Sequence, residues 1–469
     1  MLSVEEVRAA LGDALIGERP GSAAAFAQVA NDSRVARPGE IFVALRTEVR
    51  DGHDFVAEAV AKGVSGVIVE REIEVPAGVA VFQVRDSRHA IGELARFWRA
   101  RFPYLRAVVV AGNVGKTTTK ELCAAVLATK YEVLRSAANF NDEVGLAMTL
   151  FGLEERHQRA VLEVGMFERG EIARLCRIAA PETAVVLNVG PTHLERLGSL
   201  EAIAAAKAEA VEALPWRGNA ILNADDPYVA AMAARTSARV LSFGLGLGAD
   251  VRASEIRGRG LAGVDFRLSC GGRAVEAHSP LPGVALVPNA LAAATVAIAD
   301  GMSVEEAAYA LSQAVVPARL VARLAQSGAA ILDDTYNANP ASVGAALGVL
   351  AETAGRRVAL LGDMLELGSF EAEGHRAVGT AAAAILDSLF TVGDRGRLIG
   401  DAARAAGLEK VQHFASKEDA ARALKDALGP GDVLLVKASH GLALGSVVAA
   451  LAAPDADPPA APGGTAERD

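Results

Sequence analysis

The sequence predicts an α/β protein of three domains: a small α/β domain over 1–100, a central phosphate-loop domain with a mostly parallel sheet over 101–316, and a C-terminal Rossmann-like domain over 317–452, with a disordered tail over 453–469. Three observations carry that prediction. A chain of 469 residues is too long for one hydrophobic core, and length alone suggests about three. The stretch 105–126, LRAVVVAGNVGKTTTKELCAAV, reads as buried strand, glycine-bounded loop and helix in that order. After residue 317 the alternation of strand and alanine-rich helix starts again, with strands expected at 329–333, 357–361, 388–392, 411–414 and 432–436.

Composition limits the function classes. The net charge of −10 argues against a nucleic-acid surface, so any anionic ligand must be held by local cations or metal. Three isolated cysteines give no disulfide framework. The start MLSVEEVRAALGD has neither the basic nor the apolar segment of a signal peptide, and no apolar run is long enough to span a bilayer. A cytoplasmic chain without membrane insertion is expected.

In the N-terminal unit the marked stretch is Asn31-Asp32-Ser33-Arg34, then PGEIFVAL and DGHDF. Ser33 and Arg34 can offer a hydroxyl and a guanidinium fork to a diphosphate. A solvated turn with a surface arginine is the plainer reading of these residues alone.

In the central unit, Gly112, Asn113, Val114 and Gly115 let backbone N–H groups turn inward at a helix N-terminus. Lys116 can reach the outer phosphates of a nucleotide, and Thr117, followed by Thr118, can place a hydroxyl on magnesium. Further strands are expected at 160–164, 183–189 and 219–223, short glycine-punctuated strands, possibly an antiparallel edge, at 245–285, and two packed helices at 289–299 and 303–314. Glu163 closes one strand, where a second magnesium ligand is expected, and His193 follows another in NVGPTHLE. Lys207 lies in an alanine-rich helix, where lysine is most often a surface residue. In the C-terminal unit Arg319 stands at the domain junction, and DDTYNANP at 333–340, with Asp334, Asn337 and Asn339, is dense in hydrogen-bonding groups.

Taken together, SRxVxPGE, DGHDF, GNVGKTTTKE, NFNDEVG, NVGPTHLERLGS, AKAE, LNADD, DDTYNANPAS and LGDMLELG resemble the Mur ligases of peptidoglycan synthesis over residues 31–451. The resemblance implies an N-terminal UDP-sugar domain, a central ATPase and a C-terminal ligase domain. It implies ATP and Mg2+ as cofactors, and UDP-N-acetylmuramoyl-tripeptide and D-alanyl-D-alanine as substrates of a monomeric amide-bond ligase. It further implies that Lys116 holds the β- and γ-phosphates, that Thr117, Glu163 and His193 bind magnesium, and that Lys207 is carried as a carbamate. Arg319, Asp334 and Asn289 would contact the nucleotide, Ser33 and Arg34 the uridine nucleotide, and Asn337 and Asn339 the substrate. Ala111 and Asn113 stand where the family usually has a hydroxyl residue, and Asp142 where a second Asn is usual, so threonine at 111 or serine at 113 is expected to strengthen ATP use. Another ligase of the superfamily, or a non-catalytic homologue that binds a nucleotide-sugar, are the alternative readings.

Overall fold

The computed structural model describes residues 1–47, 50–190, 194–316, 321–365 and 367–453, and has the expected α/β architecture, with three large sheets and a two-stranded pairing of Leu2–Ser3 with Ala25–Phe26. The tail beyond 453 lies outside the described residues.

The first sheet has five short strands in the order Leu15–Arg19, Ala80–Val84, Gly66–Val69, Ile41–Val43, Val29–Ala30, parallel except for the first. The DGHDF stretch is a staple beneath it. Buried His53 holds the Asp51 carboxylate at 2.5 Å through Nδ1 and accepts the Glu70 N–H at 2.8 Å through Nε2. Helix Ser87–Ala100 then leans on the central unit, its Ile91 and Leu94 sharing one apolar core with Val109, Leu146 and Ile178. Buried Arg99 fixes this join by donating to the carbonyls of Phe102, Leu105 and Ala179.

The central sheet has nine strands, ordered Arg273–Ser279, Val264–Cys270, Val251–Gly258, Arg239–Gly244, Asn219–Asn223, Thr183–Val186, Arg106–Ala111, Arg159–Glu163, Val133–Arg135. The pairings involving residues 264–270 are antiparallel, which makes the glycine-punctuated stretch the antiparallel edge the sequence suggests. Strand Arg106–Ala111 alternates between two cores: Ala107, Val109 and Ala111 face one, Val108 and Val110 the other. The chain passes from this strand to one side of the sheet and then crosses to the other, so its C-terminal end lies at a topological switch point, where open α/β sheets bind ligands.

The third sheet runs Val321–Leu324, Ala330–Asp333, Asp432–Lys437, Arg356–Gly362, Ser388–Val392, Val411–Phe414. All but the first strand are parallel. The expected strands of this sheet fall within a residue of those observed, with Val321–Leu324 an additional antiparallel edge strand. In the central sheet, by contrast, the strand expected at 183–189 ends at Val186, where the chain turns to the loop that holds Asn188.

Candidate active site

The phosphate loop follows from its glycines. Gly115 has φ +86°, and a β-carbon there would lie 2.4 Å from the Asn289 amide nitrogen, so only glycine fits. Helix Lys116–Ala128 starts directly behind it without a side-chain N-cap, leaving the first-turn N–H groups for a ligand. Lys116 Nζ folds back on the carbonyls of Gly112 (3.1 Å) and Asn113 (3.2 Å). Asn289, from helix Val287–Ala299, donates to the Gly115 carbonyl at 3.2 Å and to Thr119 Oγ1 at 2.8 Å, tying the loop to its neighbour.

Two flanking strands add to the loop. Thr117 Oγ1 donates to Glu163 Oε2 at 2.8 Å, and Asn141 Nδ2 donates to Glu163 Oε1 at 2.9 Å. On the other side Asn188 Oδ1 accepts the N–H groups of both Asn113 and Val114 at 2.9 Å, while its amide donates to the Val114 carbonyl. Asn113 in turn donates to the Gly190 carbonyl at 2.9 Å. Nothing in the NVGPTHLE spacing signals this grip of Asn188 on the loop.

Lys207 is 3% exposed on helix Leu200–Glu212. Burial, and secondarily the Lys116 ammonium, push its pKa well below the usual lysine range. The sequence carries the signal for that burial: Ile203, Ala206, Lys207, Ala210 and Val211 follow the helical repeat and are all buried. Two residues on, Glu209 accepts the N–H groups of Gly170 (2.8 Å) and Ala173 (3.0 Å), capping helix Glu171–Ala179.

Family models match three segments: Mur ligase family, catalytic domain over 26–99; Mur ligase middle domain over 110–297; and Mur ligase, glutamate ligase domain over 319–440. The UDP-N-acetylmuramoyl-tripeptide–D-alanyl-D-alanine ligase of Escherichia coli is 36% identical over 94% of this chain and 97% of its own. The chain belongs to the Mur ligase family. A crystal structure of MurF from Acinetobacter baumannii superposes with a TM-score of 0.85 at 31% identity, covering 96% of this chain and 98% of that one. The MurF ligase of Thermotoga maritima in complex with ADP gives 0.79 at 29% identity over 90% and 96%.

Across from the loop, this Mur ligase has a cleft of about 320 Å³ lined from the central unit by Val114, Gly115, Thr118 and Asn289 and from the C-terminal unit by Asp334, Ser342 and Lys437. Asp334 and Lys437 are buried and paired at 2.5 Å. Lys437 also donates to the Asn337 carbonyl at 2.7 Å. Neighbouring polar residues serve the turn itself. Asn339 Oδ1 caps helix Pro340–Ala351 by accepting from Ser342 N–H, and Asn337 Oδ1 accepts from Ala338 N–H. In the N-terminal unit Ser33 is buried and donates to Glu58, whereas Arg34 is exposed and pairs with Asp32, whose carboxyl it holds at about 2. Asp142 caps helix Glu143–Phe151 and pairs with Arg88. His193 and Arg319 lie outside the described residues.

The Thr117–Glu163 pair fits magnesium. Both groups are buried hard-oxygen donors, and magnesium is held by one or two carboxylates while water and phosphate oxygens complete its shell. Among the described residues no cluster of three or more His, Cys, Asp or Glu exists that would hold a metal without such help.

Proposed function

We propose that this Mur ligase joins D-alanyl-D-alanine to UDP-N-acetylmuramoyl-tripeptide with ATP, releasing ADP and phosphate. The names and lengths of its relatives support the substrates. The observation that carries the chemistry is one sheet edge holding Lys116 and Thr117 bonded to buried Glu163, with the buried Lys207 of helix Leu200–Glu212 near enough to feel the Lys116 charge.

The reaction has two steps. The terminal carboxylate of the tripeptide attacks the γ-phosphorus, the bond to ADP breaks, and an acyl phosphate forms. The dipeptide amine then attacks the acyl carbon, loses a proton, and phosphate departs with the former carboxylate oxygen. Positioning and charge compensation are the protein's part in such transfers. Lys116 leaves its loop carbonyls for the β- and γ-phosphates. Asn188 and Asn289 hold the loop in register, and Arg319 and Asp334 are the nucleotide contacts proposed for the C-terminal unit. Thr117, Glu163, His193 and Lys207 would hold magnesium, which when bound would supply charge compensation for the phosphates. Depressed by burial, the Lys207 amine adds carbon dioxide: a nitrogen–carbon bond forms, one N–H proton is lost, and an anionic carbamate results. Ser33 and Arg34 take part in uridine-nucleotide binding, Arg34 after release from Asp32. A monomer is proposed, and no described helix is long and apolar enough to cross a membrane. The cytoplasm, which supplies ATP, is the proposed compartment.

The test is ADP release by purified protein with UDP-N-acetylmuramoyl-tripeptide, with and without D-alanyl-D-alanine. Sustained release requiring both, with amide product equal to ADP, is expected. Release that ignores the dipeptide would contradict the assignment.

A further inference from the structure

Lys120 is fully buried, one helical turn beyond Thr117, and no step above uses it. Its ammonium donates to the carbonyls of Ser136 (2.6 Å) and Ala138 (2.9 Å) and pairs with Glu121 Oε1 at 2.8 Å. An ammonium has three N–H donors, and three acceptors surround this one. All three donors are thereby placed on protein acceptors, so Lys120 acts as a tether rather than as a counter-charge for a ligand; Glu121 is shared with Arg135 at 3.1 Å.

What it tethers is the segment that orients Glu163. Ser136 Oγ accepts the Glu163 N–H at 3.2 Å, Asn141 Nδ2 donates to Glu163 Oε1 at 2.9 Å, and the Asn141 carbonyl accepts the Gly165 N–H at 2.8 Å. Between these contacts Ala138 sits at φ +42°, a left-handed conformation that a non-glycine residue keeps only when its surroundings impose it. A Lys120 bond falls on that same residue's carbonyl. Helix Lys116–Ala128 therefore reaches Glu163 twice: directly through Thr117, and through Lys120 and the 136–141 turn.

We infer that Lys120 is a positioning residue for the magnesium site, holding the 136–141 turn so that Ser136 and Asn141 fix the Glu163 carboxylate against Thr117. The inference rests on the reading of Thr117 and Glu163 as magnesium ligands.

The test measures Mn2+ binding to the full-length protein in the presence of ADP by electron paramagnetic resonance, without turnover. Lys120→Met keeps length and removes all three donors. It is expected to weaken Mn2+ binding at least tenfold, to leave ADP binding without metal within twofold, and to recover much of its kcat at high Mg2+. Its effect should be non-additive with Glu163→Gln, because one change acts through the other. A folded Lys120→Met protein that binds Mn2+ like wild type overturns the inference and leaves Lys120 a packing residue. If Lys120→Met does not fold, Asn141→Ala cuts the last link of the same chain. Weakened Mn2+ binding there supports the inference, and unchanged binding overturns it. Wild-type protein that binds no Mn2+ with ADP overturns the metal-site reading as well.

Discussion

The phosphate-loop edge of the central sheet and the polar turn at 333–340 look alike as sequence: each follows a strand and is dense in Asn, Asp and Thr. They differ in where their side chains bond. At the loop edge Thr117 reaches Glu163, Asn141 reaches Glu163, and Asn188 reaches Asn113 and Val114, all across tens of residues. In the turn, Asp333 bonds Thr335, Asn337 bonds Ala338, and Asn339 bonds Ser342. The Asp334 carboxylate does reach far, to Lys437. Polar groups bonded at long range build a site, whereas those bonded at short range build the turn that presents it.

The sharpest way to break this comparison is at Lys116. Lys116→Ala should lower kcat/KM for ATP about 10³-fold, the scale of removing a charge-stabilising group from an acyl- or phosphoryl-transfer site. Its Tm should stay near wild type, because the side chain bonds carbonyls of its own loop three and four residues away. Near-normal ADP release from this variant would remove the loop from the mechanism.

Lys207 comes next. Lys207→Ala should lose about 10²-fold in kcat and regain part of it with added short-chain carboxylates, by analogy with other removed charge-stabilising groups. The pH dependence has a definite sign. A lysine depressed in the folded state binds fewer protons there than in the unfolded chain. Wild type is therefore destabilised progressively as pH falls below the ordinary lysine pKa towards the folded one. In carbon-dioxide-free buffer Lys207→Met should melt above wild type, and the gap should widen from about pH 10.4 towards neutrality. A gap that narrows over that range would contradict the buried neutral amine.

Asn113 gives a smaller effect. As sequence it stands in for a hydroxyl, and serine there is an expected improvement. Its amide, however, spans to the Gly190 carbonyl, and a serine side chain is too short to replace that bond. Asn113→Ser should raise KM for ATP about two- to tenfold, the worth of roughly 0.5–1.5 kcal/mol for a hydrogen bond. A lower KM would favour the hydroxyl.

Asn339 tests the other side of the comparison. Losing the N-cap in Asn339→Ala should cost about 1 kcal/mol of stability. Here kcat/KM for both substrates should remain within about twofold, an energy difference small beside the loss of a direct contact. A well-folded variant that has lost affinity for the tripeptide would instead make Asn339 a substrate ligand.

Much of this molecule was legible as sequence. The strand, loop and helix around Lys116 were, because strong apolar periodicity on both sides frames a glycine pair. Strand order was not, since the crossover that puts Glu163 and Asn188 on either side of the loop is a property of the whole sheet. The N-terminal strands are two to five residues long, too short for an alternating pattern to declare itself. Lys120, Glu209 and Arg99 escaped for another reason: each is a charged residue satisfied by backbone groups, and no spacing rule encodes which distant carbonyl or amide it meets. Lys207 could have been placed inside, since it falls on the apolar stripe of its own helix.

The central claim is that the phosphate-loop edge activates the tripeptide carboxylate as an acyl phosphate. Tripeptide labelled with oxygen-18 in its terminal carboxylate tests this directly, by mass analysis of the phosphate released as amide forms. The account predicts that each phosphate carries one oxygen from the labelled carboxylate, because the bridging oxygen leaves with phosphorus. Unlabelled phosphate released alongside amide product would contradict it.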